Sequence, residues 1–149
     1  MPVIGVSLNK IMAEKIKPIT SMVEVRSDTN IKNVKEFDLN EFNRKGLNIS
    51  FDFIISYVKD KKEKLGEIKI SGDVLYLDPD KQDSIIKEWN ETKKLPSKVN
   101  IEVLNSVLRR SIIKSMGISE DLQLPPPIGI PQATEKTPGV PKEWIGEQL

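Results

Sequence analysis

The chain has 149 residues, of which 38% are hydrophobic and 30% charged, as in a globular domain rather than a disordered polymer. Its 23 Lys and Arg against 22 Asp and Glu leave a formal net charge of +1, so it lacks the basic excess of most dedicated nucleic-acid binders. Cysteine and histidine are absent, which excludes disulfides, thiolate or imidazole metal sites and the Ser-His and Cys-His nucleophile pairs. The glycines form no phosphate loop. We therefore expect no enzyme activity, no catalytic or metal-binding residues and no cofactor.

The N-terminal third predicts strands. Residues 3–12 alternate apolar and polar side chains with the period of a half-buried strand. After Pro18 a mixed alternation resumes and continues to Phe37. The polar residues 27–30 within it are compatible with a turn or with a bulge in one long strand.

The clearest strand is predicted over residues 47–58. Its in-phase apolar side chains are Leu47, Ile49, Phe51, Phe53, Ile55 and Tyr57. Residues 59–66 then read as a solvated hairpin loop ending at Gly66, and residues 67–77 as an antiparallel partner strand. Six apolar residues in one phase predict a central strand against the core.

Two helices are predicted next. Asp78 is placed as the cap of the first, with Pro79 at its first position and Asp80 and Asp83 near its positive end. We favour this capping role over a calcium loop, which would need a glycine and a terminal glutamate that are missing. Pro96 stops the helix.

The second predicted helix has Ser97 as its cap and Gly117 as its terminator. Its apolar residues recur every three or four positions, at Val103, Leu104, Val107, Leu108, Ile112 and Met116.

Together these elements predict an α+β fold in which a four-stranded antiparallel sheet is followed by two helices packed on one face. The stretch "LPPPIGIP", residues 124–131, follows as a stiff, extended and apolar arm. We assign residues 1–131 to one domain that includes this arm, and residues 132–149 to an extended or disordered tail. Trp144 and Ile145 in the tail are candidate anchors, either for a partner or for the domain itself.

Some apolar residues are out of phase with the strands that contain them. Ile54 and Val58 in the third strand, and Leu75 and Leu77 in the fourth, point away from the expected core. They predict that the second face of the sheet is partly covered by another subunit, a client chain or the proline arm.

Basic residues form two clusters, which are a second candidate surface. Lys59, Lys61, Lys62 and Lys64 lie in the predicted hairpin, and Arg109 and Arg110 lie in the second helix. They would contact RNA phosphates if the fold brought them together. For the two arginines we favour the simpler explanation, the solvated face of an amphipathic helix, and lysines at a hairpin tip are often there for solubility.

The order of elements over residues 47–131 resembles SecB, the bacterial export chaperone, and SecB-like proteins of archaea. The resemblance lies in "LNISFDFIISYV", "EIKISGDVLYL", "VNIEVLNSVLRRSIIKSMG" and the proline-bearing "LQLPPPIGIP". It implies a tetramer with apolar grooves that hold unfolded chains without ATP. The polypeptide-binding positions would be Ile54, Val58, Leu75, Leu77, Leu122, Leu124, Ile128 and Ile130.

Two departures from that family leave an alternative. The bacterial proteins are strongly acidic and dock an export motor, whereas this chain is neutral and its tail has no counterpart. The alternative is an archaeal ribosome-associated protein, a structural component that contacts rRNA through its basic clusters and its tail. In either case we expect a cytoplasmic protein without a signal peptide or membrane insertion.

Overall fold

In the computed structural model, which describes residues 3–20, 22–39 and 44–128, four strands are followed by two helices. The elements are β1 (Val3–Lys15), β2 (Glu24–Leu39), β3 (Arg44–Lys59), β4 (Glu63–Tyr76), α1 (Gln82–Thr92) and α2 (Ser97–Asp121). This arrangement confirms the predicted α+β class and element order. None of the described helices has the length and apolarity needed to cross a membrane.

The strands form one antiparallel sheet in the order β1-β4-β3-β2. The central pair is a hairpin, whereas β1 and β2, although consecutive in sequence, lie at opposite edges. The described residues of their connection, 16–20, 22 and 23, therefore cross one end of the sheet. They are tied there because the backbone N–H groups of Ile16 and Lys17 both donate to the Leu65 carbonyl, at 2.8 and 3.2 Å. Consecutive strands usually pair with each other. Here the crossing places β1 beside β4 instead, so that β1 and β2 become the two edges of the sheet.

One face of the sheet forms the core, as the alternation predicted. The buried side chains of β3 are Leu47, Ile49, Phe51, Phe53, Ile55 and Tyr57. Phe53 lies opposite Ile70 of β4, and Ile85 and Trp89 of α1 belong to the same buried cluster. Leu108 packs against this cluster from α2.

The long helix α2 buries one residue in every four. The buried positions are Val99, Val103, Val107, Ser111, Ser115 and Ser119. Spacing by four follows one of the side-chain ridges by which a helix packs. The serines in the second half have little bulk, and those at 115 and 119 satisfy their hydroxyls on the helix's own carbonyls at 2.9 and 2.8 Å. The sequence prediction, which followed only apolar residues, missed them.

Neither helix begins where its cap signal predicted: the first begins later and the second begins one residue earlier. The cap at Asp78 and the start at Pro79 are wrong, because the chain first makes a turn in which the Asp78 carbonyl accepts the N–H groups of Lys81 and Gln82. Lys81 occupies the N-cap position. In the second helix Ser97 is the first helical residue rather than the cap, which is Pro96.

The predicted helix end at Gly117 is also wrong, since α2 continues to Asp121. Glycine ends a helix when it takes a left-handed conformation, and Gly117 stays helical. Gln123, with φ of 56°, adopts that conformation instead and reverses the chain.

The hairpin between β3 and β4 is tighter than predicted. Only residues 60–62 form the turn, and both strands extend into the lysine-rich stretch that was read as a loop. Asp60 and Lys61 have φ of 55° and 62°, the left-handed pair of a turn that matches strand twist. Residues 27–30 lie inside the single strand β2, whose register shift falls between Ile31 and Asn33.

Candidate polypeptide-binding surface

The second face of the sheet, opposite the helices, is polar. On it the Asp73 carboxylate accepts hydrogen bonds from Asn9 Nδ2 at 2.6 Å and from Ser50 Oγ at 2.8 Å. Asp52 accepts one from Ser71 Oγ at 2.5 Å. These side-chain pairs are satisfied without a partner molecule, whereas the Asn48 Oδ1 atom on the same face is buried and has no hydrogen-bond partner among the described residues.

Asp52 also lies between two cations. The Nζ atoms of Lys32 and Lys69 are 3.7 and 3.9 Å from its Oδ2. The lysine at position 32 thus balances a carboxylate of its own sheet, and the second face presents closely mixed charge.

The out-of-phase residues do not form one groove. Ile54 and Leu75 are partly exposed on the polar face, where they pair with Lys69 and Asn48 and are separated by about 20 Å along the strands. Val58 is buried with only 8% exposure, and Leu77 is half-buried just beyond the end of β4.

The beginning of the proline arm packs against the core end of the sheet. Leu124 is 6% exposed, and its Cδ2 atom would be 3.0 Å from a Cβ placed on Gly66. The Tyr57 hydroxyl donates to the Pro125 carbonyl at 2.6 Å, and the Leu124 N–H donates to the Ser119 carbonyl at 2.8 Å. The helix end, the arm and the hairpin strands are therefore joined at one point.

The remaining arm residues differ in exposure. Leu122 packs against the core, whereas Ile128 is 47% exposed. Ile130 lies outside the described residues. Because Leu124 is anchored near Gly66, which pairs with Lys15, the arm begins beside the C-terminal end of β1.

Burial at this junction also raises the pKa of a tyrosine side chain. The Tyr57 phenol is surrounded by the core, and this burial raises its pKa to about 12 from an ordinary value of 10.0. Tyr76, at the other end of β4, reaches about 12 as well, through burial and then through the nearby Glu102 carboxylate. Both phenols therefore act as neutral hydrogen-bond donors at physiological pH.

An apolar surface that the sequence prediction missed lies along β1. Ile11, Met12 and Ile16 are 43, 53 and 46% exposed. We call these three residues the β1 patch. The strand is at an edge of the sheet, so one row of its backbone groups has no partner strand within the described chain. The loss of strict alternation after Leu8 was the available signal.

The two basic clusters lie far apart. Lys59, Lys61, Lys62 and Lys64 surround the hairpin tip, where Lys64 is paired with Glu67 at 2.7 Å. Arg109 and Arg110 instead line a cleft with Val3–Val6, whose partners on β4 are ten or more residues from Lys64, roughly 33 Å. The fold does not bring the two clusters onto one surface.

The tail residues Trp144 and Ile145 lie outside the described residues. Within the described ranges, no group of three or more acidic side chains is arranged to hold a metal ion. Comparisons with family models, curated proteins and solved structures found no match to this chain.

Proposed function

We propose that this protein is a non-enzymatic, SecB-like chaperone or scaffold that binds unfolded or extended polypeptide. The observation that supports this most is the β1 patch, three exposed apolar side chains at the end of an edge strand, with Ile11 and Met12 on opposite faces of the sheet and Ile16 just beyond the strand. An extended client can add its backbone to such an edge and place alternate side chains on the apolar residues. The arm begins beside the end of β1, and its exposed Ile128 is a second apolar side chain that a client could contact.

The proposal includes association of subunits. Soluble proteins shield long edge strands, and a second copy paired through β1 would shield this one. Such pairing, together with the resemblance to a tetrameric family, supports a homo-oligomer in a cytoplasmic setting. Its grooves would then be bordered by the proline arms.

The arm is the part to test first. Replacing Ile128 and Ile130 by Asp should leave the sheet and helices folded, since Ile128 is 47% exposed. The double variant should lose its ability to suppress aggregation of an unfolded client, measured by light scattering, with circular dichroism as the folding control. Ile101→Asp is the matched control, because Ile101 is 59% exposed on α2 away from the arm. Undiminished suppression by the double variant would contradict the role of the arm.

The β1 patch needs its own variant. Ile11→Asp combined with Ile16→Asp should reduce client binding further than the arm variant, because charge there meets both the client side chains and the strand edge. Analytical ultracentrifugation of the same variant shows whether subunit pairing is lost with it. A variant that keeps its oligomeric state and full suppression would rule out β1 as the binding edge.

The ribosomal role is a second candidate, and the hairpin tip favours it. A tight left-handed turn projects Lys61 and Lys62 into solvent, a geometry suited to phosphate contact. Sedimentation of cell lysate, probed for this protein, distinguishes the two candidates. Salt-sensitive migration with a ribosomal subunit, lost on Lys61→Glu with Lys62→Glu, would favour the ribosomal role over the chaperone.

A further inference from the structure

A cleft of about 430 Å³ opens between the first residues of β1 and the outer side of α2. It is lined by Val3, Ile4, Gly5, Val6, Ser106, Arg109, Arg110 and Ile113. Two of these are large aliphatic side chains left in water, with Ile4 47% and Ile113 71% exposed. The cleft is within the size range of small binding pockets, and its apolar walls favour an occupant that covers them.

The charged side chains that line this cleft have one sign. Arg109 and Arg110 are both exposed, and neither forms an ion pair with a described residue. No carboxylate is among the lining residues. Two arginines beside an apolar wall are complementary to an apolar side chain flanked by carboxylates.

The chain itself contains a segment of that kind. Residues 143–147 read Glu-Trp-Ile-Gly-Glu, an aromatic and an aliphatic side chain between two acids. We propose that this segment docks intramolecularly in the cleft, with Trp144 and Ile145 on Ile4 and Ile113 and with Glu143 and Glu147 facing the two arginines. This proposal does not depend on the chaperone function.

The tail is long enough to reach the cleft. The arm starts near Gly66, at the end of the sheet where α2 finishes. Measured along the helix, Ile113 and Ser106 lie about 12 and 23 Å back from Asp121. The 14 residues 129–142 can span up to about 46 Å. A tether of this length keeps the segment at a high effective concentration, on the order of millimolar, so individually weak contacts suffice.

Trp144 itself can report docking. The sequence has two tryptophans, and the other one, Trp89, is 6% exposed in the core. Subtracting the fluorescence of the full-length Trp144→Phe variant isolates the signal of Trp144. We expect this signal to be blue-shifted and its acrylamide quenching constant to be severalfold lower than that of a synthetic peptide of residues 141–149.

Variants of the cleft make the test specific. Arg109→Glu with Arg110→Glu should raise the quenching of Trp144 to that of the peptide, and Ile113→Ala should raise it partly. Lys87→Glu with Lys98→Glu is the matched charge-reversal control on exposed helix positions and should change nothing. Circular dichroism checks that each variant is folded.

Three results would overturn the proposal. If acrylamide quenches Trp144 in the parent protein as readily as it quenches the free peptide, the segment does not dock. If Trp144 stays protected from quenching in both cleft variants, the segment docks at another place on the protein. Protection that appears only as protein concentration rises would assign it to a different copy of the chain.

Discussion

Phe53 shows how much one side chain contributes to this fold. Its ring is fully buried at the centre of β3, opposite Ile70, in the cluster that α1 covers. Truncation to Ala would leave a cavity that the surrounding strands cannot fill, because the neighbouring strands β2 and β4 are both held to β3 by backbone hydrogen bonds.

We therefore expect Phe53→Ala to lower the free energy of unfolding by about 3–5 kcal/mol. Urea denaturation followed by circular dichroism measures this loss from the shift of the midpoint at unchanged slope. Ile54→Ala, on the partly exposed polar face, is the neighbouring control and should cost much less. A loss below roughly 1 kcal/mol for Phe53→Ala would mean that the ring is not in a packed core.

The buried tyrosines make stability depend on alkaline pH. The pKa values of Tyr57 and Tyr76 are about 12 in the folded protein, against 10.0 as the ordinary value. The folded state thus retains protons that the unfolded chain releases. Stability is complete below about pH 10 and is lost as pH rises from about 10 towards 12, by up to about 1.4 kcal/mol per pH unit for each phenol.

Denaturation midpoints at a series of pH values between 9 and about 12 test this expectation. Tyr57→Phe removes one ionisation, so its pH slope should be shallower, while it also loses the hydrogen bond to Pro125 at all pH values. If stability falls with pH at the same slope in the parent and in Tyr57→Phe, the pH dependence does not come from ionisation of Tyr57.

Two glycines separate the effects of sheet packing and helix propensity. Gly72 on β4 faces β1 so closely that a Cβ would overlap the Ser7 carbonyl oxygen and lie 3.1 Å from both Leu8 Cα and Phe51 Cζ. A Cβ on Gly117, in α2, would have no neighbour within 4 Å. The same substitution should therefore have opposite signs at the two positions.

We expect Gly72→Ala to destabilise by about 1–3 kcal/mol, as for other overpacked sites, because β1 must move away from β4. Gly117→Ala should instead stabilise by about 0.5–1 kcal/mol through the lower entropy of the unfolded chain. Thermal unfolding of both variants shows directly whether each substitution lowers or raises the stability. Stabilisation by Gly72→Ala would show that β1 and β4 are not in this close contact.

At the scale of the whole molecule, the sheet order implies unequal local stability. β3 and β4 are paired on both sides, whereas β1 and β2 are edges. Residues 9–15 of β1 are all exposed, and β1 depends on contacts with a strand some 60 residues away in sequence. The end of β1 should open without unfolding the centre.

Hydrogen exchange detects this difference. In the isolated chain, amides of residues 9–15 should exchange much faster than amides of residues 49–55, with a smaller dependence on low concentrations of urea. Equal protection of the two segments would contradict an open β1 edge. Protection of residues 9–15 that appears only as the protein concentration is raised is instead the result expected from pairing of β1 with a second copy.

The sequence by itself determined the class of the fold and the central strands. The alternation in residues 47–58 predicted the buried face correctly, because burial on one face requires a period of two. The absence of His and Cys likewise limited the kinds of chemistry to consider. Helix boundaries were less well predicted, since turns and a left-handed Gln123 replaced the expected capping residues.

The tertiary structure alone decided which surfaces exist. The crossing between β1 and β2 leaves β1 at an edge and thereby exposes Ile11, Met12 and Ile16. It also brings Val3–Val6 against Arg109 and Arg110, which are about 100 residues away in sequence. Periodicity reports how each segment relates to its own core face, but strand order depends on contacts between distant segments, and no local pattern encodes those.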